Sequence, residues 1–294
     1  MMSRAAAGLA LIWLTVAAPS RDLATQFQST AKAVSLFVSV SDQGGRVAGL
    51  NAADFIVRDD GVPQHVDSLE AAAESLDLTI ILDSSGSVAY SAFEKQLRTS
   101  AEAISALVRD NDVAEVWTVD SEVRSKTFLP TDAEPMGDGG TRLFDAIVTA
   151  LLRPENPGRR HVIVVLSDGL DTTSVIDRTT RMWVAQHTAA TLLCVAFSTH
   201  GRSTPWYWRG DDVVGGYDYL LRELADQTGG VFLDARPGDT PSTAVSEILD
   251  SSRRAYVLAY KPQGVNASGW HTLQVRIPSH PHFTVLARRG YEWE

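Results

Sequence analysis

LDLTIILDSSGSV, residues 76–88, begins as a buried strand and ends in one carboxylate and three hydroxyls within five positions. A mainly apolar run from Leu76 to Leu82 belongs inside a sheet covered on both faces. Its end in Asp83, Ser84, Ser85 and Ser87 brings oxygen donors to the edge of a core. Asp83, Ser85 and Ser87 occupy alternate positions of a tight loop leading into a helix, so their oxygens can converge on one point.

Outward from this strand, apolar and amphipathic segments alternate. Val113 to Val119, His161 to Leu166 and Ala190 to Phe197 are further strand candidates; Ala89 to Arg109, Leu143 to Leu152 and Ser174 to Gln186 are helix candidates. In the first helix Phe93, Leu97, Ala101, Ile104 and Leu107 recur every three or four residues, the period of one helical face. Tyr217 to Arg253 adds a helix through YLLRELADQTG, a short strand VFLD and a helix through AVSEILDSS. This alternation predicts an α/β domain over residues 75–254, a Rossmann-like, doubly wound, mostly parallel sheet with helices on both faces.

The flanks have a different period. Val34, Leu36, Val38 and Val40 alternate, and Gly44-Gly45 and Asp60-Gly61 mark turns, so residues 32–74 read as β-hairpins. Residues 255–294 return to strands in AYVLAY, HTLQVRI and FTVLARRGY. Isolated hairpins are marginally stable, which predicts that the two flanks join in one accessory β module beside the α/β domain.

Residues 1–20 obey another rule. Arg4 precedes an apolar run from Ala5 to Ala18, with Val16, Ala17 and Ala18 just ahead of Pro19, the layout of a secretory signal peptide. The run is shorter than the about 20 residues of a typical membrane span, and no other stretch approaches about 18 apolar residues. Cleavage and retention as an anchor both stay open, because Pro19 directly follows Ala18. Residues 21–31 are a polar leader. The expected location is periplasmic, cell-surface or secreted.

The 294 residues carry 26 basic and 36 acidic side chains, a formal net charge of −10. That balance speaks against nucleic acid and suits a cation or a basic surface. The one cysteine, Cys194 in TLLCVAF, excludes an intrachain disulfide and reads as a buried strand residue.

Two more loops carry chemistry like that of the first. GDGGTRLFDA sets Gly139 and Gly140 before Thr141 and a helix, and VVLSDGLDTT puts Asp168 at the end of the His161 to Leu166 strand. Ligands of parallel sheets bind beyond the carboxyl ends of strands, where these loops fall. Hard cations take about six oxygen ligands, which hydroxyls and carboxylates provide without Cys or His. The two glycines permit close approach of the second loop.

In this arrangement the sequence resembles the von Willebrand factor type A family, whose metal-ion-dependent adhesion site runs Asp-x-Ser-x-Ser, then Thr, then Asp. Asp83, Ser85, Ser87, Thr141 and Asp168 match it in order. VAGLNAADFIVRDDGVPQ before the domain, and YVLAYKP, GWHTLQVRI and VLARRGYEWE after it, are similar to bacterial type A-related proteins first grouped from acidobacteria. The resemblance implies that Ser85, Ser87 and Thr141 bind a divalent cation through hydroxyls, with Asp83 and Asp168 acting directly or through water. Mg²⁺ heads the candidates, and an all-oxygen set also admits Mn²⁺ or Ca²⁺. The family further implies an open metal position filled by a Glu or Asp carboxylate of a protein partner, as in adhesion. In the alternative, the protein is a cell-envelope scaffold whose metal is only structural. If no metal binds, the same loops do no more than cap helices.

Catalysis is not expected. No Gly-x-Ser-x-Gly elbow surrounds Ser85 or Ser87, and Ser85 stands where a phosphoaspartate phosphatase would carry its second Asp. STHGRSTPWYWRGDDVVGG, after the Cys194 strand, sets Trp206, Tyr207 and Trp208 on the metal face, either as a rim for ligand contact or folded back over the core. Arg209-Gly210-Asp211 inside it is read as a chance tripeptide. His280 and His282 read as a hairpin turn rather than a zinc pair, and Asn266-Ala267-Ser268 fits the N-glycosylation acceptor pattern. Asp120 and Glu122 are left out of the site, because in the resembled family an antiparallel edge strand at this point would carry them away.

Overall fold

The computed structural model describes residues 33–42, 45–71, 75–89, 94–126, 139–154, 156–197, 217–235 and 241–293. The signal segment, Phe93, Trp206, Tyr207, Trp208 and the Arg209-Gly210-Asp211 tripeptide lie outside the described residues. The N-terminal flank holds β1 (Val34–Asp42), β2 (Gly45–Arg46), β3 (Ile56–Asp59), β4 (Val62–Gln64) and β5 (Ser68–Ala71). The centre runs β6 (Leu76–Asp83), α1 (Gly86–Ala89), α2 (Glu94–Ser105), β7 (Val113–Val119), β8 (Val123–Lys126), α3 (Leu143–Leu151) and β9 (Arg160–Ser167). It continues with α4 (Arg178–His187), β10 (Thr191–Phe197), α5 (Tyr217–Gln227), β11 (Val231–Ala235) and α6 (Pro241–Arg253). The C-terminal flank is β12 (Tyr256–Tyr260), β13 (Gly269–Arg276), β14 (Thr284–Leu286) and β15 (Gly290–Trp293).

Side chains of β6 alternate between the two faces of its sheet. Leu76, Leu78, Ile80 and Leu82 share a core with Leu97 and Ile104 of α2 and Val245 and Leu249 of α6. Ile81, on the other face, shares a core with Phe144, Ile147 and Leu151 of α3 and Leu221 and Leu224 of α5. Asp77, Thr79 and Asp83 fall on that same α3 face. The Asn156 amide donates to Asp77 at 2.8 Å, and Arg153 bonds both Asp77 and Thr79, so the polar start of the strand is satisfied. Cys194 lies fully buried in the α3-side core, where burial pushes its thiol up.

The central sheet has the order β11-β10-β9-β6-β7-β8. All neighbours are parallel except β8, which closes the β7 edge antiparallel. From β6 the chain moves to β7 on one side and later returns at β9 on the other. Strand order therefore reverses between β6 and β9, and their carboxyl ends open a crevice of the kind in which α/β sheets hold ligands.

Helix α4 begins at Arg178, later than the start at Ser174 expected from periodicity. Residues 174–176 have their amides taken by carboxylates instead of by a helix. Ser174 N donates to Asp171, and Val175 N and Ile176 N donate to Asp145. Asp177 then caps α4 by accepting from Thr180 N at 2.9 Å.

The flanks do join in one module, built of two sheets that share a core. β1 lies antiparallel to β12, with Val34 opposite Tyr260 and Val38 opposite Tyr256, in the sheet β14-β1-β12-β5. The second sheet is β15-β13-β3-β4. Val34, Leu36, Val38, Val57, Leu258, Leu273 and Tyr291 from the two sheets form one core. Each sheet has a single apolar face, so stacking two sheets buries both faces where one open sheet would leave its face wet. His280 and His282 lie in the connection from β13 to β14, with backbone turns from His280 N to Ile277 O and Phe283 N to His280 O, as expected of a turn. Arg288 bonds Gln186 O, and Arg289 pairs with Asp226 at 2.6 Å, tying this module to α4 and α5.

Gly230, just before β11, has no room for a side chain: a Cβ there would lie 1.9 Å from Leu192 O in β10. That neighbour is backbone held in a sheet ladder and cannot rotate away. Gly230→Ala is therefore expected to cost about 3 kcal/mol, the upper part of the overpacking range, measured as a lowered urea midpoint with unchanged slope. Among the described residues no helix is long and apolar enough to cross a membrane.

Candidate metal site

The loop after β6 turns on its own carboxylate. Asp83 Oδ1 accepts from Ser85 N at 3.0 Å and from Ser85 Oγ at 2.5 Å, which bends the chain at once into α1. Ser85 Oγ lies 3.1 Å from Ser87 Oγ, so the three donors anticipated from alternate spacing form one chain of contacts. Asp83 Oδ2 accepts from Ser167 Oγ at 2.5 Å, the last residue of β9. Ser167 Oγ in turn accepts from Gly169 N at 2.8 Å, fixing the loop that carries Asp168. Asp168 Oδ1 accepts from Leu170 N at 3.0 Å. Asp83, Ser85, Thr141 and Asp168 are all buried, and Ser87 is half-buried.

Thr141 reaches this crevice from the turn before α3. Its amide donates to Thr172 Oγ1 at 2.9 Å, and its carbonyl accepts from Thr172 N and Thr173 N, both at 3.0 Å. The second ligand loop is thus bonded directly to the third. Gly140 makes that approach possible, since a Cβ there would stand 2.6 Å from Thr172 Oγ1.

The electrostatics ask for a cation. Burial, then the nearby charge of Asp168, pushes the Asp83 carboxyl up to about 7 against the opposing hydrogen bonds from Ser167 and Ser85. The described partners of Asp83 are hydroxyls and one amide, with no Arg or Lys among them. Two acids and three hydroxyls are a hard, all-oxygen donor set, which suits Mg²⁺, Mn²⁺ or Ca²⁺ and disfavours softer metals.

Sequence reasoning missed Ser167 and the bonds from Thr172. Ser167 stands directly before Asp168, but nothing in the sequence indicates that its hydroxyl reaches across to β6. The reason for omitting Asp120 and Glu122 needs correction. β7 is parallel to β6, and the antiparallel edge is β8, one strand later. Asp120 therefore does lie at the ligand end of the sheet. Its carbonyl accepts from Arg142 N at 2.8 Å, while its carboxylate accepts from Glu122 N and from Arg124, also at 2.8 Å, and so is engaged within the β7–β8 hairpin.

A second group that could hold an ion is Asp59, Asp60 and His271 in the β module, with ligand atoms within 4.8 Å of one another. Its hydrogen bonds favour a different role. Asp59 Oδ2 accepts from Tyr260 and Tyr291 hydroxyls at 2.8 and 2.6 Å, and Asp59 Oδ1 lies 2.8 Å from His271 Nδ1. Metal ligation through Nδ1 would move the ring proton to Nε2, which is buried with no partner among the described residues. Asp59 instead joins β3 to β12, β13 and β15.

Neither a family model nor a curated protein sequence matches the chain. Solved structures similar to it include a von Willebrand factor type A protein from Catenulispora acidiphila, at 13% identity and TM-score 0.47, covering 90% of this chain and 74% of that one. Manganese-loaded TRAP protein from Plasmodium vivax follows at 11% identity and TM-score 0.42, covering 76% of this chain and 96% of that one. Proximal thread matrix protein 1 from the mussel byssus is 13% identical with TM-score 0.44; the match spans 63% of this chain but only half of that one. The strand order with its antiparallel edge, and three oxygen-rich loops gathered where that order reverses, give the described residues from β6 to α6 a Rossmann-like, mostly parallel α/β fold.

Proposed function

We propose that this is an exported, non-enzymatic binding protein that holds a divalent cation at Asp83, Ser85, Ser87, Thr141 and Asp168 and uses it to capture a Glu or Asp carboxylate of a protein partner. The observation that carries this reading is the buried Asp83 carboxylate beside Asp168, ringed by hydroxyls rather than by a basic side chain. Ser85, Ser87 and Thr141 would offer neutral oxygens, and the two acids would balance a doubly charged ion. Because the hydroxyls add no further negative charge, a bound ion would supply a Lewis-acidic position that still attracts an anion. Export rests on the signal-peptide layout of residues 1–20.

Water-proton relaxation of bound Mn²⁺ tests both halves of the proposal. EDTA-stripped protein is expected to bind one Mn²⁺ and to raise water relaxivity. Acetate or a Glu-containing peptide is then expected to lower that relaxivity by displacing a metal-bound water. Absence of Mn²⁺ binding would sink the metal site. Binding whose relaxivity ignores carboxylates, together with a higher melting temperature, would instead favour the scaffold in which the metal is structural.

A further inference from the structure

Asp171 lies outside the five-residue donor set, yet it holds two of the ligand loops together. Its Oδ2 accepts from Phe144 N at 2.8 Å, in the first turn of α3, and from Ser174 Oγ at 2.5 Å. Ser174 Oγ in turn accepts from Asp145 N at 3.0 Å. Asp145 returns the contact by taking Val175 N and Ile176 N at 3.1 Å. Arg142, the residue before α3, makes no side-chain cap, so Asp171 satisfies a free amide of that helix from a different loop. The Asp171 loop and the first turn of α3 thus each lend a carboxylate to the backbone of the other, and Thr141 and Asp168 precede them in the chain.

We propose that Asp171 is a positioning residue for the metal site, setting Thr141 against the Asp168 loop before the ion arrives. The proposal rests on the metal reading above. A ligand already in place spares the ion the cost of ordering a loop, which is how outer partners come to govern metal affinity. The described bonds of Asp171 go to two backbone amides, Phe144 N and Ser174 N, and to the Ser174 hydroxyl, so its effect on the site passes through the loops it holds.

Calorimetric titration of Mn²⁺ into EDTA-stripped wild type, Asp171→Ala and Asp171→Asn tests this, with metal-free melting temperatures measured alongside. Asp171→Ala is expected to weaken Mn²⁺ binding by about 10- to 100-fold, and Asp171→Asn, which keeps one acceptor oxygen, to recover part of the loss. Should Asp171→Ala fail to fold, Thr172→Val removes the acceptor for Thr141 N at an exposed position and is expected to weaken binding severalfold. A lower melting temperature with unchanged Mn²⁺ affinity in these variants would make the exchange purely structural and overturn the proposal. No binding by wild type would overturn the metal reading itself, and the positioning role with it.

Discussion

Asp83→Asn is expected to do two opposite things: weaken Mn²⁺ binding by at least about 100-fold, beyond the effect of losing an outer partner, and stabilise the metal-free protein above pH 7. The first follows from removing a charged ligand. The second follows from the state of the carboxyl without metal. Buried beside Asp168, it titrates near 7 in the folded chain, against 3.8 for an ordinary Asp. Between those values the folded state keeps a proton that the unfolded state has released, so stability falls as pH rises and levels off above 7. At 1.36 kcal/mol per unit the loss amounts to about 4 kcal/mol. The asparagine variant should lack this slope. Saturating Mn²⁺ should also remove it in wild type, because the metal stabilises the ionised form. Chemical unfolding of EDTA-stripped protein from pH 4 to 8 measures it, and a wild-type profile that stays flat over this range would mean that Asp83 and Asp168 are not buried together.

The second large effect lies at the other end of the sheet. Arg253, at the end of α6, makes two 2.7 Å bonds to Asp112, which also accepts from Leu76 N and Arg109 N at 2.8 Å each. Both charged side chains are buried. Asp112→Ala leaves the buried Arg253 guanidinium without its carboxylate, though still donating to Leu107 O at 3.1 Å, and removes the acceptor of two backbone amides; it is expected to cost about 3–5 kcal/mol at pH 7. Burial alone would raise the Asp112 carboxyl, but the Arg253 bonds, followed by the Arg109 and Leu76 amides, hold it below the ordinary carboxylate range. This stabilisation is therefore complete above the ordinary Asp value and fades as pH falls through the lower, folded one. The difference between wild type and variant should shrink in acid. Pairing the change with Arg253→Met should restore part of the loss, since no buried charge then lacks a countercharge from Asp112. An Asp112→Ala cost below about 1 kcal/mol would show that water reaches the pair, as for surface ion pairs.

What could be read from the residues was whatever depends on near neighbours in the chain. Asp83, Ser85 and Ser87 are two apart, so a single tight turn gathers them, and their hydroxyls already indicate a hard cation. The apolar runs of β6, β7 and β9 placed these strands to within a residue, because β6 and β9 are buried along their whole length and β7 over its last four residues. Alternation in β1 correctly marked Val34, Leu36, Val38 and Val40 as the inward side.

Tertiary structure alone decided which strand each of these meets and which hydroxyl crosses between loops. Alternation marks the buried face of a strand but says nothing of its partner, so the flanks could as well have made one sheet as two. The direction of β7 was misjudged for a related reason: a strand's own residues look the same in parallel and antiparallel pairing. The delayed start of α4 came from Asp145 and Asp171, acids on distant or irregular segments that compete with the helix for its first amides. Sequence by itself determined the donor chemistry, because donor type is a property of single residues. Only the packed sheet brought Ser167 to Asp83 and the Thr141 turn to the Asp168 loop, because those approaches are set by strand order and register across more than 80 residues for the first pair and about 30 for the second.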